Sequence, residues 1–208
     1  MMNVVTGNNV RTEDNTLYPL KLLREDFLSL GNEVTIWPQA KLVNAHNISL
    51  GHKVIIDDFV LIIASGAPVG IGSFVHIAAY SSITGQGGLA MDDFSGLAAG
   101  VRIITSDEDY SGGTCLTNPT VFKEYRKVRH AHVHIKKHAI IGTNTVVLPG
   151  VTIGEGCAVG ANALVVKDLP DWSVCVGTPA RPVKERPSET IKKLESDLRS
   201  RYPEMFTP

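Results

Sequence analysis

Charge of one sign, cysteine and long apolar runs are all scarce in this 208-residue chain. Twenty Lys plus Arg stand against 21 Asp plus Glu, a formal net charge of −1. No overall field therefore favours nucleic acid or an anionic membrane, and an anionic ligand must be met locally. The three cysteines, Cys115, Cys157 and Cys175, are odd in number and too far apart for a disulfide framework or a zinc knuckle; they are expected to be reduced, mostly packed thiols. No apolar run approaches the roughly 18 to 20 residues of a membrane span. The opening MMNVVTGNNVRTED lacks the basic-then-apolar order of a secretory signal. The expectation is a cytoplasmic protein with no nucleic-acid or membrane partner and no metal. With 43% hydrophobic and 20% charged residues, one globular unit with a real core is the default.

What the chain does have is a period of six. In IIGTNTVVLPGVTIGEGCAVGANALVV, residues 140–166, aliphatic side chains recur at Ile141, Val147, Ile153, Val159 and Val165. Six matches neither the 3.6 of a helix nor a plain strand alternation, but it is an even multiple of the strand repeat. Extended outward, the register yields six sets of three turns, beginning at Leu30, Leu50, Ile71, Met91, Ile135 and Ile153. Three short strands per 18-residue coil predict a triangular prism, a parallel β-helix whose coils stack about 4.8 Å apart. Each aliphatic residue points inward. The fourth position after it, as in Thr145, Val151, Cys157 and Ala163, is small or β-branched to fit a corner. Residues 1–29 read as an N-terminal segment with a short helix across 16–31. Residues 30–170 read as the prism, and 171–208 as an extension whose helix carries Ile191, Leu194 and Leu198 on one stripe. Residues 109–134 break the repeat and read as a projecting loop, which a compact repeat carries for function more often than for decoration.

Repeats of the form [LIV]-G-x-x-[STAV]-x over residues 30 to 185 resemble the hexapeptide-repeat acyltransferases. That resemblance, not the spacing, implies a left-handed β-helix of about six coils, a homotrimer, and acyl-CoA (acetyl-CoA in the first instance) lying in the groove between subunits. GSFVHIAAYSSITGQGGLAMDDFSGLAAGVRIITSDEDYSG, with TNPTV and KKHAIIG, is similar to the branch that acylates the amino group of nucleotide-linked 4-amino-4,6-dideoxy sugars, and to related sugar O-acetyltransferases. It implies a small-molecule nucleotide sugar as partner and a place in surface polysaccharide (lipopolysaccharide or O-antigen) biosynthesis. For coenzyme A it points to backbone amides at Gly142, Gly160 and Ala161, with Lys167 and Arg181 near the phosphates.

Acyl transfer from a thioester needs an attacking amine or hydroxyl, a group to manage its proton, and donors for the developing oxyanion. The register sorts the seven histidines. His46 falls on a corner position, and His52 and His138 on outward, solvated ones. His130, His132 and His134 alternate along one outward face, so His134 is a candidate for the proton. His76 is outward on a wall, in one column with Ile55 and Gly96, and open space beside a glycine suits a substrate amine. The resemblance points to His76 as well. Asp93 is the candidate carboxylate; about 10 Å of displacement along the strands argues against a direct bond to His76 within one chain, which leaves it to hold the sugar or to act beside a histidine of the adjacent prism. Relatives that acetylate galactosides or maltose carry a histidine just before the projecting loop. Here Asp107, Glu108 and Asp109 stand there instead, so either a carboxylate takes the proton or the duty has moved to His76 or His134; the missing histidine favours N-acylation, because an amine needs less base assistance than a hydroxyl. O-acetylation remains the alternative. A zinc hydratase on the same prism needs separated histidines that converge, unlike H-x-H-x-H-x-x-x-H over 130–138. A nucleotidyltransferase lacks its α/β domain and Gly-rich loop here.

Overall fold

The computed structural model describes residues 3–6, 9–11, 22–113 and 115–206. Strands mostly two or three residues long stack into three parallel walls. The first wall stacks Ser29–Leu30, Ile48–Leu50, Val69–Ile71, Leu89–Met91, Val133–Ile135 and Thr152–Ile153. The second stacks Thr35–Ile36, Ile55–Ile56, His76–Ile77, Gly96–Leu97, Ile140–Ile141, Ala158–Val159 and Ser173–Gly177. The third stacks Lys41–Val43, Leu61–Ile63, Ser82–Thr84, Arg102–Ile104, Val146–Val147 and Leu164–Val165. With a seventh strand on the second wall, the chain makes six full coils and opens a seventh. Antiparallel strands extend that wall at both ends: Asn3–Thr6 and Asn9–Arg11 at one, Ala180–Glu185 at the other. They pair backbone groups that a bare edge would leave open.

Every inward aliphatic position of the six-residue register is buried, from Leu30 and Ile36 to Val159 and Val165. The fourth-position rule also holds where the chain turns from the first wall to the second and from the second to the third: Val34, Val54, Val75, Thr145, Cys157 and Ala163 are all buried. It fails at the third-to-first corner of the early coils, where extra residues intervene. His46 is there exposed and Ala45 fills the corner, within a 3-10 turn at Ala45–Asn47. Cys157 and Cys175 are buried with their sulfurs 3.9 Å apart, and Cys115 is partly exposed. Burial pushes the Cys157 thiol up to about 12.

The third position after each inward residue is where the coil bends, and it adopts φ near +60° at Phe74, Phe94 and His138 on one corner and at Phe59 and Tyr80 on the next. Glycine and asparagine are the usual residents of that region. Here aromatic rings take it and stack from coil to coil, Phe74 on Phe94 at 4.9 Å and Phe94 on His138 at 5.1 Å.

The C-terminal helix, Glu189–Arg201, runs beside this ladder. Of its expected apolar stripe, Ile191 and Leu198 are half-buried, while Leu194 is 63% exposed. Glu195 adds a polar anchor, bonded to His138, Lys137 and Arg199, with Arg199 over the Phe206 ring. Of the helix expected across 16–31, residues 16–21 lie outside the described residues. The remainder holds a 3-10 turn at Arg24–Asp26, where Asp26 accepts the Leu23 N–H at 2.6 Å and Arg24 donates to the Leu30 carbonyl. No helix among the described residues is long and apolar enough to cross a membrane.

Candidate active site

His76 projects from the second wall in the predicted column, paired with Ile55 on one side and Gly96 on the other. Its partner is Asp57 of the preceding coil, with Nε2 3.0 Å from Oδ2. The open space expected beside it is partly closed, because Gly96 is buried and Ile140 Cδ1 stands 3.5 Å from where a Cβ on Gly96 would lie.

His134 forms a second histidine–carboxylate pair on the first wall, its Nε2 3.0 and 3.1 Å from the two oxygens of Asp92. Its outward column is lined by small residues: Ala90 and Gly70 on one side, Thr152 on the other. A ligand can therefore approach the ring along a smooth trough. An ionised carboxylate only accepts, so in both pairs the neutral imidazole carries its hydrogen on Nε2 and leaves the Nδ1 lone pair as a base. Sequence reasoning picked out both histidines but neither of their carboxylates. The signal was there, since Asp57 and Asp92 each follow an inward aliphatic residue by one position, Ile56 and Met91.

Asp93, the expected carboxylate, bonds neither histidine. Its Oδ1 accepts the Ser73 N–H at 2.8 Å and its Oδ2 faces Arg199 at 3.3 Å. It ties the turn of one coil to the next and to the C-terminal helix. The three expected catalytic residues thus occupy different places: His76 the second wall, His134 the first, and Asp93 the corner between.

His138, expected to be solvated, is 7% exposed and donates through Nε2 to Glu195 at 2.7 Å. Burial alone would raise the Glu195 carboxyl. Hydrogen bonds from Lys137, Arg199 and His138 outweigh it and hold the group down at about 2.

The projecting loop has a stem, Ser106–Glu108 paired antiparallel with Val128–His130. The carboxylates before the loop are engaged in it: Asp107 with Arg129 at 2.8 Å, Glu108 with Arg126, and Asp109 with Lys127 at 3.8 Å. Hydrogen bonds from Ser111, aided by Lys127, keep the Asp109 carboxyl below its usual value. These groups staple the loop. The expected stripe of three histidines is split, with His130 in the stem, His132 exposed beyond it, and His134 in the wall.

Of the residues pointed to for coenzyme A, Gly142, Gly160 and Ala161 come together on one corner. A Cβ on Gly142 would lie 2.6 Å from the Ala161 nitrogen. The N–H groups of Gly142 and Gly160 donate to the Val159 and Cys175 carbonyls, both at 2.8 Å. That leaves the exposed Ala161 N–H without an intramolecular partner among the described residues. Lys167 and Arg181 are exposed and make no ion pair among those residues. Nor do those residues include a group of three or more His, Cys, Asp and Glu placed to hold a metal.

Residues 132–167 match the family described as bacterial transferase hexapeptide (six repeats). An Escherichia coli dTDP-4-amino-4,6-dideoxy-D-glucose acyltransferase is 40% identical over 177 residues, 85% of this chain and 91% of that one. The chain is a hexapeptide-repeat acyltransferase. Among solved structures, AntD, an N-acyltransferase from Bacillus cereus in complex with dTDP and 3-hydroxybutyryl-CoA, is 38% identical with a TM-score of 0.79, covering 85% of this acyltransferase and 93% of AntD. A serine-to-cysteine variant of AntD, solved with dTDP-4-amino-4,6-dideoxyglucose and coenzyme A, is as similar, at 38% identity and a TM-score of 0.79 over 84% of this chain and 92% of that one. A putative lipopolysaccharide biosynthesis O-acetyl transferase of Escherichia coli (strain K12) is 30% identical over 123 residues, 59% of this chain and 60% of that one.

Proposed function

We propose that this chain transfers an acyl group, acetyl in the first instance, from acyl-CoA to the amino group of a nucleotide-linked amino-deoxy sugar. It acts as a cytoplasmic homotrimer in surface polysaccharide biosynthesis, with its sites between subunits. The observation that carries the reading is the near full-length likeness to a dTDP-amino-sugar acyltransferase. The geometry supports it from below. The neutral amine attacks the thioester carbonyl, the C–S bond breaks, and the amine gives up a proton as the thiolate leaves. A lone pair aimed outward from a wall is suited to receive that proton, and His134 Nδ1, held by Asp92 beside a trough of small residues, is the foremost candidate. His76 with Asp57 is the second, facing a neighbouring prism. Asp93 enters as a positioning residue for the C-terminal helix. Coenzyme A runs past the Gly142, Gly160 and Ala161 corner, with Lys167 and Arg181 free for its phosphates.

The test is thiol release from acetyl-CoA and longer acyl-CoAs against dTDP-, UDP- and GDP-linked amino sugars and their hydroxyl counterparts. Turnover of the 4-amino compounds is expected; turnover of the hydroxyl compounds alone would replace N-acylation with O-acetylation.

A further inference from the structure

Among the described residues the C-terminal helix bonds to neither member of the Asp92–His134 pair, but it holds the turn beside each. On one side, Asp93 follows Asp92 directly as the chain leaves the first wall. Its Oδ1 accepts the Ser73 N–H at 2.8 Å, its carbonyl accepts the His138 N–H at 3.2 Å, and its Oδ2 lies 3.3 Å from Arg199. The Ser95 hydroxyl donates to the Asp92 carbonyl at 2.7 Å, so residues 92–95 move as one turn. On the other side, Lys137 and His138 come three and four residues after His134, and both bond Glu195, at 2.5 and 2.7 Å. Glu195 and Arg199 stand four apart on the helix and bond each other at 2.6 Å. Asp93, Arg199, Glu195 and His138 thus close a ring of bonds that returns through the His138 N–H to the Asp93 carbonyl.

The two halves of this arrangement differ in strength. The Asp92 and His134 side chains are 43% and 35% exposed, and an ion pair that open has little power to hold its own geometry. The Glu195 side chain is only 11% exposed, and Arg199 is covered by the Phe206 ring, 4.0 Å from its centroid. Charged bonds partly screened from water are the stronger ones. With strands of three residues at Leu89–Met91 and Val133–Ile135, the distance between carboxylate and ring follows the turns that the helix grips.

We propose that Arg199 and Glu195 are positioning residues for acyl transfer, clamping the Asp92 turn to the turn that follows His134 and so setting the reach between carboxylate and ring. The assignment rests on the reading of His134 as the proton acceptor and extends the machinery to a helix that lies outside the trough.

The experiment uses the full-length protein, with initial rates of thiol release from acetyl-CoA and a dTDP-linked 4-amino-4,6-dideoxy sugar. Arg199→Ala should lower kcat about fivefold with KM for acetyl-CoA unchanged, since a small misplacement of a reacting group costs rate rather than binding. Arg199→Lys, which keeps the charge, should recover part of the loss. In a His134→Ala background the same Arg199→Ala change should cost nothing further, because residues that act through one another are not additive. A second readout needs no turnover: in ¹⁵N spectra of histidine-labelled protein, the His134 ring, assigned by its disappearance in His134→Ala, should carry its hydrogen on Nε2 in the wild type and become a mixture of tautomers in Arg199→Ala. Circular dichroism and gel filtration confirm that each variant keeps its fold and assembly. Wild-type kcat in Arg199→Ala, the same fivefold loss on top of His134→Ala, or an unchanged His134 ring signal would overturn the proposal. If His134→Ala itself keeps wild-type kcat, the reading of His134 as acceptor fails instead, and the ring spectrum alone decides whether the clamp holds the pair.

Discussion

Two surface histidines of this acyltransferase are each oriented by a carboxylate of the preceding coil. Asp57 and Asp92 hold the Nε2 hydrogens of His76 and His134 and leave Nδ1 open. A carboxylate that orients a ring also steadies the imidazolium formed when the ring takes a proton. His134→Ala should therefore lower kcat by about 10²-fold, within the usual range for a general base. Asp92→Asn, whose amide can also donate and so admits the wrong tautomer, should lower it by roughly tenfold with KM for acyl-CoA unchanged. His76→Ala should cost tenfold or more. These values come from initial rates of thiol release; a His134→Ala enzyme with wild-type kcat would remove that residue from the chemistry.

At the scale of the element, the C-terminal helix is attached by charge. Glu195 gathers His138, Lys137 and Arg199 at 2.7, 2.5 and 2.6 Å, while Leu194 stays largely in solvent. The Glu195 carboxyl falls from 4.5 to about 2 on folding. A group depressed in the folded state contributes stability that is complete above its unfolded value and is lost as pH falls towards its folded one. The helix should therefore hold above about pH 4.5 and release progressively down to about pH 2, ahead of the prism, whose inward residues are aliphatic. Trp172, with Lys192 4.9 Å from its ring, reports the release by fluorescence, and far-ultraviolet circular dichroism reports the walls. Glu195→Gln should loosen the helix at neutral pH. Identical acid profiles for the variant and the wild type would show that the anchor lies elsewhere.

For the whole molecule, the prism separates functions that a compact site would combine. The loop leaves at the corner between the third and first walls, opposite the second wall, from which His76 projects. A single chain cannot bring the two to one substrate, whereas a neighbour related by rotation can. If they share a site, mixing His76→Ala chains with chains whose 110–126 segment is shortened should restore about a quarter of wild-type turnover. About three-quarters of randomly assembled trimers are mixed, and each of these holds one intact site in three. No recovery on co-refolding would mean that each site draws on only one of the two features. Much of this arrangement was legible in the chain. The six-residue register placed every inward aliphatic residue and the His76 column, because stacking translates each residue onto the one a coil away and so turns sequence spacing directly into position. The sequence by itself thus determined the prism, its core and the class of chemistry its repeat belongs to. Only the tertiary structure decided that Asp57 and Asp92 meet the histidines, that His138 is buried beneath a helix, and that the acidic run before the loop pairs with Arg129, Arg126 and Lys127. These contacts join residues as much as 57 positions apart through side chains that lean across coils, and the repeat specifies where a backbone lies without specifying which way an outward side chain turns.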